Sequence, residues 1–274
     1  MSDPVAAITE AEATGEIAAI FADIRAVYRV GAVNLIWRHL ATIPGALPWA
    51  WRLVRPLYVD GTIGREAMAF KAGLNNPALP PVPDDVFAAA GLSPDDLRQI
   101  RGILTAYDRT NSMALIALTA LMAWRDRGVQ SSHNTTLSEA EETSELPLPA
   151  LTPLESMRPH LAALVLRLNG FGTAREQPIL ASMYRHLSHW PAYLGLAWTA
   201  LAPVEASGAL HAAIAAASGQ ARIRAGAIAM EDDPPPIAIR DAIAQAIEPF
   251  TSDVLAKMVV ICGMLRAITA QQEA

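Results

Sequence analysis

The sequence predicts an all-α protein built from two tandem helical repeats that pack as an internal pseudo-dimer. Three observations carry this. Apolar residues recur at helical spacing along most of the chain, and no series of alternating apolar and polar runs suggests a sheet. The segment Ile36 to Ile63 returns at Met183 to Leu210: Arg38, His39, Leu40, Pro44, Leu47, Ala50, Trp51, Pro56 and Gly61 recur as Arg185, His186, Leu187, Pro191, Leu194, Ala197, Trp198, Pro203 and Gly208. The offset is constant, since 186 − 39 = 147 and 208 − 61 = 147. A gapless match through a tryptophan, two prolines and a glycine points to duplication.

In chain order, Ile17, Ile20, Phe21, Ile24 and Val27 set the first amphipathic helix, with Thr14 or Gly15 as its cap. Asn34 starts the next, which Pro44 ends. Helices at about Leu47–Leu57 and Arg65–Leu74 follow. Asn75 to Pro83 is too dense in proline for a helix. A short helix spans about Asp85–Ala90. Ser93, Pro94, Asp95 and Asp96 form the clearest start signal: a cap, a proline at a permitted position, and two acids at the positive end of the dipole. That helix is expected to stop near Tyr107, with Asp108 to Asn111 interrupting it before a second apolar helix at Ser112–Asp126.

Residues 1–126 form the first repeat and 154–274 the second. The Ser-, Thr-, Glu- and Pro-rich linker 127–153 has little to bury. It holds a stretch expected to be mobile, Ser131 to Thr136, and the solvated acids Glu141, Glu142 and Glu145. The second repeat opens with an amphipathic helix through Leu161, Leu164, Val165 and Leu168. Helices at about Pro178–Ser188, Ala192–Leu201, Ala209–Met230, Ile237–Ile247 and Ser252–Ile268 follow, the last capped by Thr251 or Ser252.

Composition narrows the function. The chain has 274 residues, 52% of them hydrophobic, and a net charge of −6. That charge offers no broad attraction to nucleic acid or an anionic membrane. The single cysteine, Cys262, excludes an internal disulfide and a cysteine-based zinc site. The N-terminus does not read as a signal peptide, and no apolar stretch reaches the roughly 20 residues that span a bilayer. A cytoplasmic protein is expected, without cofactor or metal. His186 and His189 are three apart and could begin a metal site, but no third ligand lies nearby in sequence. The Arg38–His39 and Arg185–His186 pairs could supply a general base; their occurrence in both halves favours bonds within the fold. Trp51 and Trp198 are expected to pack at equivalent places. No phosphate loop or nucleophile elbow is present.

The runs Phe21 to Arg25, Leu40 to Gly45, Leu47–Pro48 and Ala50–Trp51 resemble the group I 2-haloacid dehalogenases. Further likeness lies in Ala88 to Gly91, Asn111 to Leu121 and Trp190–Pro191. The resemblance spans most of the chain and implies a cofactor-independent hydrolase, all helical, with its site between two repeats. In that family an aspartate seven residues before the Trp-Pro pair activates water. Here that position is Met183, since 190 − 7 = 183. A thioether cannot take the proton, and losing such a base costs on the order of 10²–10⁴ in rate.

By the same resemblance, Ala32, Leu35 and Ala114 occupy pocket positions that are aromatic in the family, while Ser182 and Asn111 are retained. The expectation is a divergent relative without haloacid hydrolysis, binding or acting on another small organic molecule, a carboxylic acid among the candidates. Its substrate-binding positions are Ala32, Leu35, Asn111, Ala114, Ser182 and Met183. The alternatives are an active hydrolase with a relocated base, His186 or Glu176, and a non-enzymatic helical interaction protein. Two copies of the chain could associate as a homodimer.

Overall fold

The computed structural model describes residues 5–124, 147–230, 233 and 235–270. The expectations for Met1 to Pro4, for Ser131 to Thr136 and for Glu141, Glu142 and Glu145 lie outside the described residues. Twelve helices order the described residues, with no strand among them: α1 Gly15–Tyr28, α2 Leu35–Leu40, α3 Ala46–Val59, α4 Thr62–Ala72, α5 Asp84–Ala89, α6 Pro94–Trp124, α7 Pro159–Gly170, α8 Ser182–Leu187, α9 Pro191–Ala206, α10 Ala209–Ala225, α11 Ile237–Pro249 and α12 Leu255–Ile268.

The 147-residue spacing appears in the element bounds. α2 and α8 start and end 147 residues apart (182 − 35; 187 − 40), α3 and α9 end 147 apart (206 − 59), and α4 and α10 start 147 apart (209 − 62). Gly61 and Gly208 precede α4 and α10 with φ of 79° and 76°. Only glycine enters this left-handed region without a Cβ penalty. The centre of the molecule is the packing of α6 on α12, flanked by α4 and α10.

The sequence reading placed a break in α6 at Asp108, and the helix instead runs through it. The polar groups that suggested a break are satisfied without leaving the helix. Thr110 Oγ1 donates back to Ala106 O at 2.9 Å and Ser112 Oγ to Asp108 O at 2.8 Å. Asp108, only 5% exposed, accepts from Lys71 Nζ at 3.1 Å and Arg266 Nη1 at 2.6 Å. The start signal works as read: Ser93 N donates to Asp96 Oδ2 at 2.8 Å and Asp96 N to Ser93 Oγ at 3.1 Å.

Other bounds also shift. Residues 178–181 are extended rather than helical, because Asn169 braces them: its Nδ2 donates to Ile179 O at 3.1 Å and its Oδ1 accepts from Ala181 N at 3.0 Å. The last helix has no side-chain cap at Thr251 or Ser252. A π turn, Phe250–Val254, joins α11 to α12, and Thr251 Oγ1 donates back to Ile247 O at 3.4 Å. Trp51 and Trp198 part company. Trp51 is buried against Trp37, Tyr28 and Tyr58, donating to Asp23 Oδ2 at 2.7 Å, whereas Trp198 is 38% exposed. No single described helix is long and apolar enough to cross a membrane.

Candidate functional site

A cavity of about 700 Å³ lies where α2 and α8 approach α6 and the π turn. Residues 5–10, the turn 30–34 and segment 148–153 complete its wall, so residues preceding 127 and residues following 147 both contribute. The sequence-derived positions Ala32, Leu35, Asn111, Ser182 and Met183 line it, as does His186. Ala114, about one turn on from Asn111, is instead packed in the core, fully buried, and is not among the lining residues. Glu176 is exposed on the stretch between α7 and α8 and takes no part in the wall.

The turn before α2 places Asn34, whose side chain does not cap the helix. Asn34 Nδ2 instead donates to Asn111 Oδ1 at 3.3 Å, tying the turn to α6. Four of the six residues of α8, Ser182, Met183, Arg185 and His186, line this one space. Its entry is fixed by Asn169 through the extended 178–181 segment. Met183 is 0% exposed.

Tyr107, four residues before Asn111 on α6, shares its face and meets His186. Tyr107 Oη and His186 Nδ1 are 2.9 Å apart, with ring centroids 5.6 Å apart. Burial pushes the His186 pKa down to about 4, helped by the nearby charges of His189, Arg185 and Arg38. His186 is therefore neutral at pH 7. Burial also pushes the Tyr107 phenol up, against the pull of Arg38, the Ser182 hydroxyl and Arg185. The repeated arginines are held alike: Arg38 Nε donates to Val33 O at 3.2 Å and Arg185 Nε to Thr152 O at 2.9 Å. Both line the cavity. The repeated histidines differ, since His39 Nδ1 meets Ala6 O at 2.7 Å.

Among the described lining residues the carboxylate is Glu10. It is engaged on both oxygens, Oε1 accepting from Val33 N at 3.0 Å and Oε2 pairing with Arg25. Ser182 Oγ is buried without a well-formed hydrogen bond. Among the described residues no group of three His, Cys, Asp or Glu is placed to hold a metal; His189 Nε2 meets Ala150 O at 2.8 Å. Tyr107 and Glu10 were missed in the sequence. Tyr107 was legible in principle, as the i−4 neighbour of Asn111, once α6 is read as continuous.

The fold has solved counterparts. A D-2-haloacid dehalogenase mutant superposes with a TM-score of 0.77 at 20% identity, covering 96% of each chain. A D-2-haloacid dehalogenase with L-LA gives 0.74 at 20% identity, covering 95% of this chain and 96% of the other. A mutant with D-2-CPA gives 0.71 at 19%, covering 97% and 94%. By sequence, the configuration-inverting 2-haloacid dehalogenase of Alcaligenes xylosoxydans xylosoxydans is 29% identical over 141 residues. In fold, and over about half of its length in sequence, the chain is similar to 2-haloacid dehalogenases. That alignment covers 51% of this dehalogenase-like chain and 45% of the relative, so the chain matches less than half of the relative's length. No protein-family model matches it.

Proposed function

We propose that this dehalogenase-like chain binds, or acts on, a small organic molecule, a carboxylic acid foremost, in the cavity between its two repeats, and does not hydrolyse 2-haloacids. In this reading residues 1–126 and 154–274 are the halves of an internal pseudo-dimer, and Leu35, Asn111, Ser182 and Met183 contact the ligand. The observation that carries it is Met183 on the cavity wall, where among the described residues Glu10 is the carboxylate and has both oxygens engaged. A water placed against a thioether finds no group to take its proton at neutral pH. The similar solved structures support the ligand class, since they are described with D-2-CPA and with L-LA.

The test is halide release from both enantiomers of 2-chloropropionate. The expected result is none above background for the unmodified chain. Met183→Asp, which returns a carboxylate to the wall, is expected to raise release by about 10²-fold or more. Halide release by the unmodified chain refutes the proposal.

A second reading, an active hydrolase with His186 as base, is favoured by the Tyr107 contact. If His186 Nδ1 carries the proton and donates to Tyr107 Oη, its Nε2 is left as an acceptor. Turnover that His186→Gln abolishes would select this reading. Glu176, exposed and away from the wall, has no such support.

A further inference from the structure

The lining of the cavity combines two chemistries. Leu35, Met183, Phe250, Val254, Leu255 and Met258 are apolar. Tyr107, His186, Ser182, Arg38 and Arg185 form a polar cluster around the Tyr107–His186 contact. In this cluster two guanidinium groups bring positive charge close enough to act on both Tyr107 and His186. Among the described residues the acid on the wall, Glu10, is already paired with Arg25. Ser182 Oγ acts on the Tyr107 phenol but makes no bond of good geometry, which leaves it capacity to donate to a group that arrives with a ligand. An anionic oxygen answers both features, accepting from a hydroxyl and lying in a positive field.

The volume bears on the rest of the ligand. At about 30 Å³ per water, 700 Å³ corresponds to roughly twenty waters. A three-carbon haloacid, with about six non-hydrogen atoms, would leave most of the space to water. Cavities of 300–1,000 Å³ are the range that takes larger organic ligands. Two methionines of the lining, Met183 and Met258, can adapt to an extended or branched body.

We infer that the ligand is an amphipathic organic anion larger than a three-carbon acid, with its anionic group at Tyr107, His186 and Ser182 and its apolar body against Met183, Phe250 and Met258. The inference rests on the proposed binding site and adds to it the size, the polarity and the orientation of what is bound.

The experiment is a calorimetric titration of the full chain with butyrate, hexanoate and octanoate, and with octanamide as the uncharged match. Each buried methylene is worth about fourfold in affinity. Octanoate should therefore bind at least tenfold more tightly than butyrate, and at least tenfold more tightly than octanamide. In His186→Gln the preference for octanoate over octanamide should fall at least threefold while octanamide binding is unchanged, which a general loss of structure would not produce. Equal binding of butyrate and octanoate overturns the inference and leaves the site itself standing. Octanamide binding as tightly as octanoate, or an unchanged preference in His186→Gln, overturns it as well. Failure of every probe to bind overturns both this inference and the proposed site.

Discussion

Burial of His186 should make the folded protein sensitive to acid. The imidazole is 3% exposed, with Arg185 on its own helix, His189 just beyond that helix's end, Arg38 on α2 and Tyr107 on α6 as neighbours. Its pKa falls from 6.5 to about 4 on folding. The unfolded chain therefore binds the proton more readily than the folded one between these values. The stability that neutral His186 permits is fully present above pH 6.5 and is lost as the pH falls toward 4. A shift of about 2.5 units corresponds to ~3 kcal/mol in total, of which about 2 kcal/mol is lost between pH 7.5 and pH 5. Other groups titrate too, so the measurement is a difference. Urea unfolding of the unmodified chain and of His186→Gln, at pH 7.5 and pH 5 in buffer free of organic acids, should show the unmodified chain losing about 2 kcal/mol more than the variant. Parallel losses in the two proteins would refute the account of a buried, neutral imidazole.

The two repeated tryptophans should behave unequally. Trp51→Ala removes a buried ring and a bond to Asp23 and should cost about 3–5 kcal/mol, whereas Trp198→Ala should cost about 1 kcal/mol or less; thermal or urea unfolding compares them directly. Asn169→Ala strands the buried Ile179 carbonyl and Ala181 amide and should cost about 2–4 kcal/mol in the same assay. Because Asn169 sets the entry to α8, that variant should also weaken octanoate binding, and an unchanged affinity would count against its bracing role.

The spacing of the helices was legible, since the 147-residue offset of Arg38–His39–Leu40 is also the offset of the bounds of α2 and α8. Helix ends were less legible, for a reason that lies in tertiary partners. Asp108 looks like a breaker in one dimension, yet Lys71 and Arg266, 37 and 158 residues away, neutralise it and let α6 continue. Pro178 to Ala181 looks helical by pattern, yet a single asparagine ten to twelve residues earlier holds it extended. Trp198 repeats Trp51 in sequence, but a copied residue is buried only if its neighbours are copied with it. The cluster of Tyr28, Trp37 and Tyr58 around Trp51 falls, at the same offset, on Arg175, Tyr184 and Glu205, which leaves one aromatic of three.

The same logic explains what could be read of the candidate site. Met183 was found because its position is counted from a motif, and a motif survives divergence. Tyr107 was lost because it acts through a partner, His186, that is 79 residues away and on another helix. The 147-residue spacing sharpens this contrast. His39 and His186 match in sequence, yet His39 meets the Ala6 carbonyl while His186 meets a phenol beside the cavity. Met183 likewise stands 147 residues after Ile36, another apolar residue of the wall (183 − 36 = 147). The members of this pair thus offer like chemistry to the wall, and those of the histidine pair do not, because only His186 has a phenol, Tyr107, within hydrogen-bond distance.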